Sequence, residues 1–223
     1  MEPQPVTLAL GAEGTTSGLW LAPPKARATL VLAHGAGAGM AHKGMEALAQ
    51  GLAKRGVATL RFNFLYMDRR QKRPDPPALA HRAVRVATQC AHELAPALPL
   101  FAGGRSFGAR MTSQAQAKAA LLHVRGLVFF AFPLHPAGKP SEERALHLQE
   151  VALPMIFVQG DHDALAEKPL LQSVVANLGE RTELHLLAHA DHSFHAPARS
   201  GRKDSDVLDE ALDAAAAWML ARA

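Results

Sequence analysis

From residue 28 onward, short apolar runs alternate with longer stretches in which apolar residues recur at helical spacing. Uninterrupted apolar runs belong to strands buried on both faces, and parallel strands need crossover connections, usually helical, to reach one another. The alternation therefore predicts an α/β fold: a mostly parallel sheet with helices on both faces. Residues 29–33 read as the first buried strand, ended by the flexible turn His34-Gly35-Ala36-Gly37. Residues 43–54 carry Met45, Leu48, Ala49 and Leu52 at helical spacing, and Gly56 follows as a stop signal. Further strands are expected at 57–64, 98–102, 126–132, 154–158 and 183–187, with helices at 78–94, 111–122, 142–150, 167–178 and 204–222. Residues 6–10 and 19–22 flank a turn-rich stretch and read as an antiparallel pair on the sheet edge, giving about eight strands in all. The basic, proline-rich stretch 66–77 reads as a surface loop. No repeat or composition shift divides the chain, so residues 1–223 are expected to form one domain.

Composition narrows the function classes. Hydrophobic residues at 48% and charged residues at 20% match average globular usage and exclude disordered, collagen-like and coiled-coil chains. No apolar run approaches the roughly 20 residues needed to cross a bilayer, so a soluble protein with no membrane partner is expected. The first five residues lack the basic-then-apolar order of a secretory signal, and Cys90 is the single cysteine, which together give a cytoplasmic expectation. Twenty-four Lys and Arg against 20 Asp and Glu leave a net charge of +4. The densest basic run, Arg69, Arg70, Lys72 and Arg73, is broken by prolines and has no interleaved aromatics for base stacking. Nucleic acid is therefore not an expected partner.

The chemistry concentrates at Gly104-Arg105-Ser106-Phe107-Gly108, a G-x-S-x-G sequence between a predicted strand and a predicted helix. Glycines on both sides permit a sharp turn that leaves the Ser106 hydroxyl exposed, while the free N–H groups of the helix start favour developing negative charge. A serine hydroxyl needs a histidine base and an acid that fixes its tautomer. Gly160-Asp161-His162-Asp163 follows a predicted strand and supplies the acid, with Asp163 expected and Asp161 the alternative. His192, in the loop after the last strand, completes the chain order Ser, Asp, His. The N–H groups of Ala36 and Phe107 are the candidate oxyanion donors, and His34, Arg105 and His135 the candidate substrate-binding side chains. Arg105 is expected either to meet an acidic substrate group or to lie exposed, and His135 either to line the pocket or to serve a turn. His189, Asp191, His192 and His195 crowd one loop with no second cluster at matching spacing, so no metal is expected. Both nucleotide-binding fingerprints, G-x-x-x-x-G-K-[ST] and G-x-G-x-x-G, are absent, and no cofactor is expected.

Taken together, residues 32–37, 61–67, 103–111, 132–136 and 190–194 resemble, in order, the motifs of the α/β-hydrolase superfamily. Within it they are similar to a small family related to dienelactone hydrolases, which also includes a nuclear histone-acetyltransferase-complex subunit and a testis-expressed protein. The resemblance implies an α/β-hydrolase fold, with Ser106, Asp163 and His192 at the triad positions. The connection 132–154, where many such proteins insert a lid, is short, so little or no lid and an open site are expected. The implied activity is hydrolysis of a small carboxylic ester or thioester by a monomer or homodimer. A non-catalytic interaction domain on the same fold, and acyl transfer by the same residues, are the alternatives.

Overall fold

A computed structural model describes all residues, 1–223. Eight strands form one sheet: β1 (Gln4–Ala9), β2 (Thr15–Leu21), β3 (Ala28–Ala33), β4 (Val57–Phe62), β5 (Leu100–Arg105), β6 (Val124–Phe130), β7 (Met155–Gly160) and β8 (Thr182–Leu187). Their spatial order is β1-β2-β4-β3-β5-β6-β7-β8. The first two strands are antiparallel, β2 pairing with β4, and every other neighbouring pair is parallel. The α/β fold expected from the alternation is therefore present, including the antiparallel edge pair.

Six helices cover the sheet: α1 (Lys43–Lys54), α2 (Leu65–Asp68), α3 (Pro77–Leu94), α4 (Phe107–Lys118), α5 (Lys168–Leu178) and α6 (Asp204–Leu220). The core is accordingly split into two layers. Met45, Leu48 and Leu52 of α1 pack with Val207, Ala211 and Leu212 of α6 against Leu30, Leu32 and Phe101 on one face. Ala83, Val84 and Ala87 of α3 and Met111 and Ala115 of α4 pack with Leu171 and Val174 of α5 against Val31, Phe129 and Phe157 on the other. Successive side chains of a strand point to opposite faces, so β3 feeds Val31 into one layer and Leu30 and Leu32 into the other. This is why the run 29–33 is apolar without interruption.

Three local expectations are corrected. Residues 66–77 are not simply a surface loop: α2 places Tyr66 wholly inside the core, and Asp75 is buried. Residues Glu143–Glu150 form a 3-10 helix rather than an α-helix. Helix α4 starts at Phe107, immediately after the serine, rather than at residue 111.

The chain passes from β3 to β4 on one side and then crosses to β5 on the other, so the strand order reverses between β3 and β5. Ligands of open α/β sheets bind outside the carboxyl ends of the strands at such a reversal. No lid domain stands over this point: the connection from β6 to β7 carries only the 3-10 helix, which packs beside α4. No helix is long and apolar enough to cross a membrane.

Candidate active site

Ser106 sits between the last residue of β5 and the first of α4 with φ 51° and ψ −114°. Positive φ is strained for a residue with a Cβ, at about 1–3 kcal/mol, and persists only where the surroundings enforce it. Here the Ser106 N–H donates to the Phe130 carbonyl at 3.0 Å, and its own carbonyl accepts from Arg110 N. A Cβ at Gly104 or at Gly108 would lie 2.4 Å from the Ala33 carbonyl oxygen. Those two glycines let the turn press against the end of β3, which leaves the hydroxyl facing outward.

The hydroxyl meets the histidine. Nε2 of His192 lies 2.9 Å from the Ser106 Oγ, and its Nδ1 lies 2.7 Å from Oδ2 of Asp163. With a carboxylate accepting at Nδ1, that nitrogen carries the proton and Nε2 is left to accept from the serine. The Asp163 side chain has no solvent exposure, whereas that of His192 retains 24%. The buried carboxylate is held from both sides: Oδ2 also accepts from Nε2 of Gln159 at 2.6 Å, and Oδ1 from the Leu165 N–H at 2.7 Å. Gln159 in turn accepts from the Phe132 N–H through Oε1 at 2.8 Å, so its amide orientation is fixed. Asp161 is placed elsewhere, against Nδ1 of His162 at 2.6 Å. The histidine is presented by a turn that closes on Asp191, whose carboxylate accepts from the N–H groups of Ser193 and His195.

Across the serine, Ala36 and Phe107 line the same cleft as Ser106. The Ala36 N–H has no acceptor in the protein, and the Phe107 N–H belongs to the first helical turn, where intrahelical partners are lacking. The loop bearing Ala36 is anchored by side chains of the 61–67 motif, to which the sequence assigned no role. The Tyr66 hydroxyl accepts from the Gly37 N–H at 2.9 Å, Asn63 Oδ1 accepts from the Met40 N–H at 2.8 Å, and Arg61 donates to the Met40 carbonyl.

The three expected substrate-binding side chains separate. His34 is fully buried, with Nδ1 bonded to the Gly35 carbonyl at 2.7 Å and Nε2 accepting from the Phe64 N–H at 3.0 Å. It packs edge-on against Phe64, and burial pushes its pKa down to about 4. The expectation that it contacts substrate is therefore corrected: both ring nitrogens are spent on backbone, and it braces the Ala36 loop. His135 is also fully buried, with Nδ1 against the Pro136 carbonyl and Nε2 unpartnered, and lies outside the clefts at Ser106. Its pocket-lining role is corrected in favour of the turn. Arg105, by contrast, lines a cleft with Ser106 and His192. Its guanidinium lies over the Phe194 ring and donates to the His192 carbonyl at 3.3 Å, while burial lowers its pKa. The remaining histidines of the loop, His189 and His195, line a separate cavity with His162 and Asp191, and no group of three ligating side chains is placed to hold a metal ion.

Residues 26–220 match the model of a family described as "Alpha/beta hydrolase domain". The chain belongs to that family. Among solved structures, this α/β-hydrolase domain is similar to a lid-less α/β serine hydrolase from Xanthomonas campestris, at 22% identity and a TM-score of 0.75, over 98% of this chain and 95% of that one. An α/β serine hydrolase homologue from Coxiella burnetii matches at 21% identity and a TM-score of 0.76, over 96% and 98%. A dienelactone hydrolase from Anabaena variabilis matches at 20% identity and a TM-score of 0.74, over 100% and 97%. At these identities the likeness speaks for the α/β-hydrolase fold.

Proposed function

We propose that the protein is a serine hydrolase that cleaves a small carboxylic ester or thioester through an acyl-enzyme on Ser106. The reading rests on one observation: Ser106 Oγ, the His192 ring and Asp163 form a continuous hydrogen-bonded chain with steps of 2.9 and 2.7 Å. It also draws support from the family, and the kinship with dienelactone hydrolases seen in the motifs is part of the same proposal.

In this mechanism Ser106 Oγ attacks the ester carbonyl carbon while His192 Nε2 removes the hydroxyl proton. Asp163, oriented by Gln159 and the Leu165 N–H, stabilises the imidazolium that forms. The negative charge on the former carbonyl oxygen is met by the Ala36 and Phe107 N–H groups, backbone dipoles beside Ser106 that cost little reorganisation. Collapse breaks the bond to the leaving oxygen, or sulfur in a thioester, which takes the proton from His192. Water then attacks the acyl group with His192 as base, releasing the acid and restoring Ser106. Every step uses groups of this chain, so no cofactor is required. The substrate is a dissolved small molecule, and the unpaired Cys90 is consistent with a reducing, cytoplasmic setting. Arg105 flanks the side from which the leaving group departs and, through its bond to the His192 carbonyl, holds the histidine loop.

Short p-nitrophenyl esters test the proposal. Wild-type protein should release p-nitrophenol, and Ser106→Ala and His192→Ala should each fall to the background rate. Turnover by Ser106→Ala at the wild-type rate would overturn it.

A further inference from the structure

Ser106 stands on a divide between two clefts that share Ala36. One, of about 500 Å³, is lined by His192, Arg105 and His42. The other, of about 430 Å³, is lined by Phe107, Arg110, Gln114, Pro133, Arg144 and Leu165 on the α4 side. His192 must hand its proton to the departing atom, so the leaving group belongs on the His192 side, and the acyl group falls into the cleft with Arg110 and Arg144. This assignment rests on the serine-hydrolase reading above.

The acyl cleft carries two guanidinium groups that no carboxylate of the protein pairs. Neither Arg110 nor Arg144 forms an ion pair with any carboxylate. Nε of Arg110 is buried without a partner, and the two side chains are close enough for each charge to oppose the other. His147, beside Arg110, donates from Nε2 to the Ser113 hydroxyl or accepts from it at 2.7 Å and adds no negative charge. Asp75, the one acid lining the cleft, is engaged elsewhere: it accepts from the Tyr66 N–H at 3.2 Å, and its charged neighbours are Arg69 and Glu13 rather than Arg110 or Arg144. Like charges gathered at a partly dry wall oppose one another, and a ligand anion bridging them removes that penalty while forming charge-assisted hydrogen bonds. The chain did not need these residues for packing, since the apolar contacts of α4 come from Ala109, Met111 and Ala115.

We propose that this cleft takes an acyl group ending in a free carboxylate, the half-ester or half-thioester of a short dicarboxylic acid, with Arg110 and Arg144 holding the distal carboxylate. Arg110 lies on the first turn of α4, which starts directly after Ser106, and both line this cleft with Arg144, so an acyl group on the serine and its distal carboxylate share one cavity.

The test compares mono-p-nitrophenyl adipate with its methyl ester, in which the same chain carries no charge. Wild-type kcat/KM should favour the acid by about tenfold or more, the scale of a desolvated charge contact. The preference should fall toward one in Arg144→Met and survive in part in Arg144→Lys, which also reports that the position still folds. Separately, adipate should bind Ser106→Ala protein in a calorimeter, and the binding should vanish when Arg110→Met is added. Equal turnover of both esters, together with no adipate binding, overturns the acidic-acyl inference and leaves the hydrolase reading standing. Adipate binding with no turnover of either ester has the opposite meaning: the anion site holds and the hydrolase reading fails.

Discussion

Acidification should destabilise the protein through His34. The imidazole has no solvent exposure, and its pKa falls from 6.5 to about 4 because burial disfavours the cation. The neutral ring is also the form its partners need, since Nε2 accepts from the Phe64 N–H and would lose that role on protonation. The sign follows from linkage: between 6.5 and about 4 the unfolded chain binds the proton and the folded chain does not, so stability declines as pH falls through that window. Each pH unit there costs about 1.4 kcal/mol, so His34 alone removes roughly 2 kcal/mol by about pH 5 and on the order of 3 kcal/mol by pH 4. His147, held down to about 4 by burial and by Arg110, adds to the slope in the same direction. Urea unfolding of wild type and His34→Leu at a series of pH values isolates the His34 share. The variant starts lower, because it orphans the Phe64 N–H at a cost of about 1–3 kcal/mol, but its decline with pH should be shallower by the His34 amount. Parallel slopes for the two proteins would refute the reasoning.

Asp163→Asn should leave the fold standing while lowering kcat by about 10⁴-fold, because the amide offers the wrong polarity to His192 Nδ1; steady-state kinetics on a p-nitrophenyl ester reads this. Gln159→Leu should cost about 1–3 kcal/mol in urea unfolding and lower kcat, since it strips a partner from both the Phe132 N–H and the Asp163 carboxylate. Gly108→Ala should cost at least about 1–3 kcal/mol, or abolish folding, as its Cβ would sit 2.4 Å from the Ala33 carbonyl; circular dichroism melting checks it. Ser106→Gly should lose activity without losing thermal stability, because glycine relieves the strain at φ 51° and offsets its own entropy cost; a melting point several degrees below wild type would count against that strain.

Much of this was legible in the sequence for identifiable reasons. Strands buried on both faces write themselves as apolar runs, which is why β3, β6 and β7 were readable, and the order serine, acid, histidine survives in the one-dimensional chain. The strand β5 was harder, because Gly103 and Gly104 look like a turn signal yet continue the strand to Arg105. Gly108 likewise masked the first turn of α4, where glycine carries a propensity penalty. The supporting residues left weaker traces. Gln159 was visible only as one polar residue at the end of an apolar strand, and Tyr66 as the single tyrosine in a stretch whose prolines and arginines suggested solvent. Arg110 and Arg144 are far apart in sequence and meet only because the 3-10 helix packs beside α4. A histidine next to a glycine-rich or proline-rich turn looks poised for substrate, as His34 does, and for His135 the sequence leaves pocket and turn roles open; only burial reveals that each ring serves the backbone.

The account turns on whether the Ser106 oxygen is a nucleophile activated by His192. Incubation with a fluorophosphonate, followed by intact mass and peptide mapping, measures that directly. One phosphonate per chain on Ser106 is expected, at a rate that collapses in His192→Ala, with no adduct on Ser106→Ala protein. An unmodified wild-type chain, or equal modification of the Ser106→Ala protein, would contradict it.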